Sequence, residues 1–192
     1  MTFDEIIRHF KATGALLDGH FLLSSGLHSP NYLQCALALK HPRDAARFGA
    51  SIDEKFNGQQ FDAVVSPAIG GLVIGFAVAQ NLNVPFFWTE RENGKMILRR
   101  GFTVGKNERL LVVEDVITTG GSTRECIAAV ETAGAKVVAA ASIIDRSGGV
   151  ADVGVPRVAL ATLDVPIYQP ENCPLCAQGD AAIKPGSRFI AK

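Results

Sequence analysis

The sequence carries no excess of either charge sign and has no long apolar run. Its 19 basic and 19 acidic residues cancel, so its charge gives no reason to expect a nucleic-acid or acidic-membrane partner. No apolar run approaches the roughly 20 residues of a transmembrane helix, and residues 1–5 lack the basic start and apolar run of a signal peptide. We therefore expect a cytoplasmic protein with no nucleic-acid and no membrane partner.

Cysteine is also scarce. The four cysteines fit a reducing compartment better than a disulfide framework. Cys173 and Cys176 have the spacing of a zinc-ligand or redox pair, but no second pair follows, and the four histidines lie far upstream without an H-x-x-x-H set. A metal site, a redox pair and a structural or incidental role all remain open for these two cysteines.

Two common nucleotide-binding motifs are missing. No G-x-G-x-x-G follows any predicted strand, which argues against an ordinary dinucleotide fold. The glycine-rich stretch 120–123 does not include the lysine of a nucleoside-triphosphate P-loop. Any phosphate ligand must therefore be bound in another way.

What is present is a regular alternation of strands and helices. With 192 residues, 47% of them hydrophobic, the chain is long enough for one well-buried domain. Apolar patterns predict helices at residues 2–12, 42–56, 72–82 and 124–133, and strands at residues 62–66, 84–88, 110–113, 136–144 and 158–163. This order predicts an α/β fold with a central, mostly parallel sheet flanked by helices.

The most informative stretch is residues 109–123. The apolar run 110–113 predicts a strand buried on both faces; Glu114 and Asp115 follow it, and then a loop of threonines, glycines and serine precedes the next helix. Ligands of parallel sheets bind at the carboxyl ends of the strands. Such a loop can offer N–H groups and hydroxyls to a phosphate, whereas the two acids suit vicinal hydroxyls or a magnesium ion.

Three other segments are expected near this edge of the sheet. The glycines of the loop 67–71 allow either close approach to a ligand or tight packing. The basic residues around the Asn93-Gly94 turn belong either to a solvated hairpin or to a mobile cationic loop that closes over a polyphosphate. Arg146 follows a long strand, where it could hold a carboxylate in a fork or form a salt bridge to a neighbour.

The segment 19–34 resembles a small hood built from a hairpin. Two short apolar runs flank a polar loop, and Gly26 and Pro30 are expected in its turn. The serines and His28 of this segment are most simply explained by turn chemistry.

Residues 112–123 closely resemble the phosphoribosyl-diphosphate (PRPP) motif of type I phosphoribosyltransferases: a hydrophobic pair, an acidic pair, two apolar residues and a Thr/Gly loop. Residues 19–26 with Ser29 and Pro30, the segment 90–102, and Asp145 with Arg146 are similar to the orotate-specific family. Cys173 to Cys176 and residues 184–188 resemble one bacterial and archaeal branch of it. The resemblance spans nearly the whole chain and implies a single domain, 1–192, with a hood at about 1–36, a PRPP-binding core at about 42–163 and a tail at 164–192.

The resemblance implies an enzyme that transfers the 5-phosphoribosyl group from PRPP to orotate in pyrimidine (UMP) biosynthesis, with Mg²⁺ held mainly through the substrate. It assigns catalysis to Lys95 and Asp115, and orotate binding to Thr118 and Arg146. The positions that it assigns to PRPP are Arg91, Lys95, Glu114, Asp115, Val116, Ile117, Thr118, Thr119, Gly120, Gly121 and Ser122. It also implies a homodimer in which the mobile loop reaches the neighbouring subunit's site.

Several positions depart from the family's pattern. Gly70 stands where many relatives have a lysine, Glu92 replaces another basic residue, and Ile97 occupies the position of the loop histidine. We expect Arg99 or Arg100 to supply the missing contacts to pyrophosphate.

The sequence disfavours two alternative functions. A purine phosphoribosyltransferase is disfavoured by the hood and by Arg146, because a neutral purine has no carboxylate for an arginine to hold. A regulator that keeps the PRPP fold but binds nucleic acid is disfavoured by the zero net charge, the lack of an appended helix-turn-helix and the retained Arg91 and Lys95.

Overall fold

The computed structural model describes residues 1–23 and 25–185. Ser24 of the hood motif and residues 186–188 of the tail motif lie outside this described part. The helices are α1 (Phe3–Ala12), α2 (Cys35–Ala38), α3 (Pro42–Glu54), α4 (Leu72–Leu82), α5 (Gly121–Thr132) and α6 (Pro174–Ala177), with a 3₁₀ turn at Pro170–Asn172. The strands are β1 (Leu16–Leu22), β2 (His28–Leu33), β3 (Ala63–Pro67), β4 (Phe86–Glu92), β5 (Lys95–Leu98), β6 (Arg109–Ile117), β7 (Lys136–Asp145) and β8 (Arg157–Thr162).

Six of these strands form one mostly parallel sheet, which confirms the predicted fold class. Their order is β5-β4-β3-β6-β7-β8, and β5 alone among them runs antiparallel, at the edge beside β4. The chain moves from β3 outward to β4, and from β6 outward in the other direction to β7 and β8. The loops after β3 and β6 therefore diverge at a topological switch point, where open α/β sheets bind their ligands.

Helices cover both faces of this sheet. One hydrophobic cluster joins the sheet to α1, α3 and α4 and includes Phe10, Phe48 and Ile74; a second joins it to α5 and includes Cys126 and Val130. Burial on both faces explains why the central strands read as continuous apolar runs instead of alternating ones. Among the described residues, no helix is both long enough and apolar enough to cross a membrane.

Strand β6 is longer than the predicted 110–113, which places the two acids inside the strand and not after it. Its pairing with β7 continues through Glu114↔Ser142 to Ile117↔Asp145. The long neighbour β7 supplies backbone partners well past the apolar run, so hydrogen bonding extends the strand beyond the point where hydrophobicity ends.

The hood is an antiparallel hairpin of β1 and β2. Gly26 lies in its turn as predicted, but Pro30 lies within β2. The prediction for Pro30 was wrong because a register shift between Asp18 and Phe21 leaves it opposite a bulge, where a residue without an N–H group is tolerated.

The division into hood, core and tail stays a prediction, and two contacts bear on it. Helix α1 contributes Ile6 and Phe10 to the main core, so the first half of the segment 1–36 packs with the sheet. The tail lies along the hood: Tyr168 exchanges backbone hydrogen bonds with His28, and Ile183 pairs with Phe21.

Candidate active site

Residues 118–122, from the end of β6 into the first turn of α5, line a small polar cavity. The sequence predicts that they bind phosphate, and we call them the phosphate loop. The volume of the cavity is about 240 Å³, and its lining is Arg91, Glu114, residues 116–123 and Glu125. Gly120 has a left-handed φ of 76°, and a Cβ there would lie 2.9 Å from Cγ1 of Val153, so only glycine fits. The chain then turns at once into α5, whose first N–H groups have no partner within the helix. This is the geometry of an anion-binding helix N-terminus.

The outer side of this loop is supported by Arg124. Its guanidinium donates hydrogen bonds to the carbonyl oxygens of Thr119, at 2.9 Å, and of Asp152, at 2.5 Å. These two bonds tie the loop to the segment after β7, so its amide groups are held in position before a ligand arrives.

Glu114 lines the cavity from β6, and the adjacent Asp115 acts on it electrostatically. Glu114 is 6% exposed, and its burial together with the charge of Asp115 raises its pKa to about 9. Burial also raises the pKa of Asp115, although the Val116 N–H donates to its Oδ1 at 2.8 Å. Glu114 is therefore protonated at neutral pH until a ligand changes its surroundings.

The loop after β3 packs directly against these acids. A Cβ at Gly70 would lie 2.8 Å from Oδ1 of Asp115, and one at Gly71 would lie 2.8 Å from the carbonyl oxygen of Val113. Tight packing therefore explains both glycines. The loop brings no basic side chain to the acids, consistent with the departure from the family's lysine noted at Gly70.

The basic segment is a β-hairpin formed by β4 and β5, and its turn contains Asn93 and Gly94, both in the left-handed conformation. Arg91 forms a 2.5 Å ion pair with Glu125 of α5 and donates to the Gly94 carbonyl at 2.9 Å. It lines both the 240 Å³ cavity and a neighbouring cavity of about 490 Å³. Lys95 instead lines a separate groove of about 600 Å³ between the hairpin and α5. In this arrangement Arg91 meets the phosphate loop and Lys95 does not.

The two arginines after β5 converge on Glu90. Arg100 binds it through two hydrogen bonds, of 2.7 and 3.1 Å, and Arg99 pairs with both Glu90, at 3.7 Å, and Glu92, at 3.1 Å. The hydrogen bonds from Arg100 and Trp88 lower the pKa of Glu90 to about 2. Arg100 lines the 490 Å³ cavity together with Arg91.

Arg146 stands beside the end of β6. Its N–H donates to the Ile117 carbonyl at 2.8 Å, which places it next to the start of the phosphate loop. Burial lowers the pKa of its guanidinium, and no carboxylate of the described residues forms an ion pair with it. The preceding Asp145 pairs instead with Arg157, at 2.8 Å. Salt bridging to a neighbour is therefore not the role of Arg146 within the described chain.

Comparison with known proteins identifies this arrangement. Residues 38–158 match the phosphoribosyl transferase domain family. The chain is 50% identical over 190 residues to the orotate phosphoribosyltransferase of Pelotomaculum thermopropionicum. The aligned region covers 99% of this chain and 100% of that relative. The chain belongs to the orotate phosphoribosyltransferase family.

Solved structures of orotate phosphoribosyltransferases share the fold. The enzyme from Aeropyrum pernix superposes with a TM-score of 0.69 at 30% identity, over 82% of this chain and 93% of that one. The Mycobacterium tuberculosis enzyme, solved in complex with PRPP, superposes with a TM-score of 0.63 at 23% identity, over 83% and 96%. At 23% identity, the similarity to the Mycobacterium tuberculosis enzyme shows a shared fold and no more.

In this member of the orotate phosphoribosyltransferase family, sequence reasoning missed two contributors to the site. Glu125 and Arg124 fall in the predicted helix 124–133 and received no role there, yet Glu125 pairs with Arg91 and Arg124 holds the phosphate loop. The partner of Glu125 is 34 positions away along the chain, so no local pattern could have indicated it. For Arg124, a basic residue directly after a glycine-rich loop was the available signal.

Proposed function

We propose that this chain transfers the 5-phosphoribosyl group from PRPP to orotate, giving orotidine 5-phosphate and pyrophosphate. The observation that carries the proposal is the adjacency of two recognition elements: a phosphate loop after β6, and Arg146, which follows β7 and has no ion-pair partner among the described residues. The reaction supplies pyrimidine (UMP) biosynthesis, and we assign it to the cytoplasm.

The phosphate loop binds the 5-phosphate of PRPP. Thr118, Thr119 and Ser122 offer hydroxyls, and Gly120 and Gly121 let the backbone approach closely. Each hydrogen bond to a charged phosphate contributes roughly 1.5–3 kcal/mol. Three of them approach the ~8 kcal/mol of a micromolar complex before ordering costs are subtracted, so this loop can anchor the substrate.

Glu114 and Asp115 bind the ribose hydroxyls and favour the charge that develops on the sugar. The bond from ribose C1 to the diphosphate oxygen breaks, and the leaving diphosphate takes the electron pair. Orotate N1 bonds to C1 and loses its proton, which an oxygen of the leaving diphosphate can accept. The ribose carries positive charge at this stage, and a carboxylate within the cavity stabilises it. The developing cation favours ionisation of Glu114, which is protonated without a ligand, and in the low dielectric of this buried site an ionised carboxylate has a large effect on a cation.

Magnesium is expected to bind mainly through the diphosphate of the substrate. Mg²⁺ prefers oxygen ligands and takes only one or two carboxylates along with substrate phosphates. In the described part of the chain, no group of three or more acidic, histidine or cysteine side chains gathers at the phosphate loop, whereas Glu114 and Asp115 offer suitable oxygens. When bound, the ion neutralises charge on the leaving diphosphate.

Arg91 and Lys95 bind the diphosphate when the β4–β5 hairpin closes over it. Arg91 is already at the cavity, where its pairing with Glu125 is exchanged for pairing with the more highly charged diphosphate. Lys95 lies in the neighbouring groove and requires movement of the hairpin. We place Lys95 over the site of a partner subunit in a homodimer, and closure there excludes water from the sugar cation.

Arg146 selects the base. Its guanidinium holds the carboxylate of orotate with two parallel hydrogen bonds. Thr118 directly follows β6, between the phosphate loop and Arg146, and contacts both substrates. A purine phosphoribosyltransferase would have no use for a partly buried arginine that has no carboxylate partner within residues 1–23 and 25–185. A nucleic-acid-binding regulator would need a basic surface, which the balanced charge of the chain does not supply.

The test is ultraviolet measurement of orotate loss with PRPP and Mg²⁺, run beside adenine, hypoxanthine and xanthine. We expect turnover of orotate alone, and loss of that turnover in Asp115→Asn. Turnover of a purine with orotate inert would identify the purine alternative. Absence of turnover with all four bases, in protein that still binds PRPP, would favour the regulator.

A further inference from the structure

The structure assigns a structural zinc site to His20, His28, Cys173 and Cys176, where the tail meets the hood. The four candidate ligand atoms of these side chains all lie within 4.8 Å of one another. The two histidines come from β1 and β2, whereas the two cysteines come from residues 173–176, about 150 positions later. Four convergent ligands of the types that zinc prefers, from two distant segments, carry the inference.

The separations match a tetrahedral zinc site. Zinc bonds of about 2.0–2.1 Å to nitrogen and 2.3 Å to sulfur place neighbouring ligands about 3.3–3.8 Å apart. His20 Nε2 lies 3.5 Å from the Cys173 sulfur and 3.8 Å from the Cys176 sulfur, and His28 Nδ1 lies 3.3 Å from the latter. The two histidine nitrogens are 2.8 Å apart and need to separate by only about half an ångström.

The surroundings orient His20 for binding. Its Nδ1 lies 3.0 Å from the carbonyl oxygen of Asp180, which requires the ring proton on Nδ1 and leaves the lone pair of Nε2 facing the cysteines. A backbone carbonyl that accepts from the second nitrogen is the usual partner of a zinc-bound histidine. Without metal, the same tautomer leaves His28 Nδ1–H to donate to His20 Nε2.

Charge and burial also favour a divalent ion. Three of the four residues are buried: His20 is 4% exposed, His28 8% and Cys173 2%. A zinc ion displaces both thiol protons, and its positive charge offsets the two thiolates that remain.

The site is structural and not catalytic. Four protein ligands fill the tetrahedron, so no position is left open for a substrate or water. Nitrogen and sulfur ligands also distinguish it from the oxygen ligands that magnesium takes at the phosphate loop. Its effect is to fasten the tail to the hood, where the backbone pairs of His28 with Tyr168 and of Phe21 with Ile183 already join them.

Metal analysis of the purified full-length protein tests the inference. We expect close to one zinc per chain, and, after metal removal under reducing conditions, uptake of Co²⁺ with the spectrum of a tetrahedral sulfur-ligated ion. Cys176→Ser should lose bound zinc. Cys35→Ala and His41→Gln, which change a cysteine and a histidine outside the cluster, should retain it.

Loss of the metal should also release the tail. We expect faster proteolysis after residue 164 and a lower melting temperature in the metal-free protein, both restored by added zinc. A reduced chain that takes up neither Zn²⁺ nor Co²⁺ would overturn the assignment. So would equal zinc content in the wild type and Cys176→Ser, or a Cys173–Cys176 disulfide as the isolated state.

Discussion

At the scale of single residues, Glu114 is the group whose chemistry is most altered by the fold. Its pKa rises from 4.5 to about 9 in the folded chain, so the folded state holds a proton that the unfolded state releases above pH 4.5. Folding stability contributed by this group is therefore present at low pH and is lost as pH rises toward 9. The lower free energy of unfolding at neutral and alkaline pH is the cost of burying this carboxyl group in the ligand-free protein.

Replacing Glu114 with glutamine tests that cost. Glu114→Gln should melt close to the wild type at pH 5 and several degrees above it at pH 9, because the neutral amide does not lose a proton. The measurement is the melting temperature of the ligand-free protein against pH. Glu131→Gln, at an exposed position of α5, is the control and should track the wild type. A constant difference between Glu114→Gln and wild type across this range would contradict the raised pKa.

The placement of Glu114, Asp115, the phosphate loop and Arg146 at one edge of the sheet could be predicted at this scale, because each lies in a short run of neighbouring residues at the end of a strand. The pairing of Arg91 with Glu125 could not, since it depends on the hairpin folding back over α5. Likewise, the sequence allowed two explanations of Gly70, and the 2.8 Å approach of its Cβ position to the Asp115 carboxylate gives a packing reason that only the fold reveals.

At the scale of elements, the β4–β5 hairpin determines which arginines line the cavities beside the phosphate loop. Both arginines after β5 pair with Glu90, but only Arg100 lines the cavity that Arg91 also lines. This favours Arg100 over Arg99 as the replacement for the family's missing basic residues.

Separate substitutions distinguish the two arginines. We expect Arg100→Ala to raise the KM for PRPP on the order of tenfold, the effect of one lost charge-assisted hydrogen bond. Arg99→Ala should change it less than threefold. The measurement is steady-state kinetics with PRPP varied at saturating orotate. If neither variant changes KM or kcat, the proposed compensation is wrong.

The elements of the sheet were predictable because buried parallel strands carry uninterrupted apolar runs. The ends of strands were less predictable. Strand β6 continues through two acids because β7 supplies backbone partners, and in the hood hairpin Pro30 lies within β2 because a bulge faces it. The clustering of His20 and His28 with the cysteine pair was missed for the same reason. It depends on where the tail lies, and the tail has no periodic pattern.

At the scale of the whole molecule, an apolar surface on and before α4 supports the proposed homodimer. Ile69, Val73 and Phe76 are exposed at 84%, 48% and 59% respectively. Adjacent exposed apolar side chains of this size mark contact surfaces in many proteins. We propose that this surface forms a two-fold interface and that the hairpin of one subunit reaches the site of the other.

Mixing two inactive variants tests whether the hairpin acts on the partner's site. In a heterodimer of Lys95→Ala and Asp115→Asn, one of the two sites combines an intact core with an intact hairpin if the hairpin acts across the interface. Random reassociation of equal amounts should then restore about a quarter of wild-type activity. Each variant mixed with itself is the control. No recovery, with heterodimers demonstrated, would show that Lys95 acts within its own subunit.

The central claim is that one sheet edge joins a phosphate loop to an arginine that selects a carboxylated base. The most direct measurement compares orotate with uracil, which lacks that carboxylate, in wild type and Arg146→Ala at saturating PRPP. We predict that kcat/KM for orotate falls on the order of 100-fold, from loss of a forked charge-assisted contact, while the value for uracil is unchanged. An equal loss for both bases, or no loss for orotate, would contradict the account.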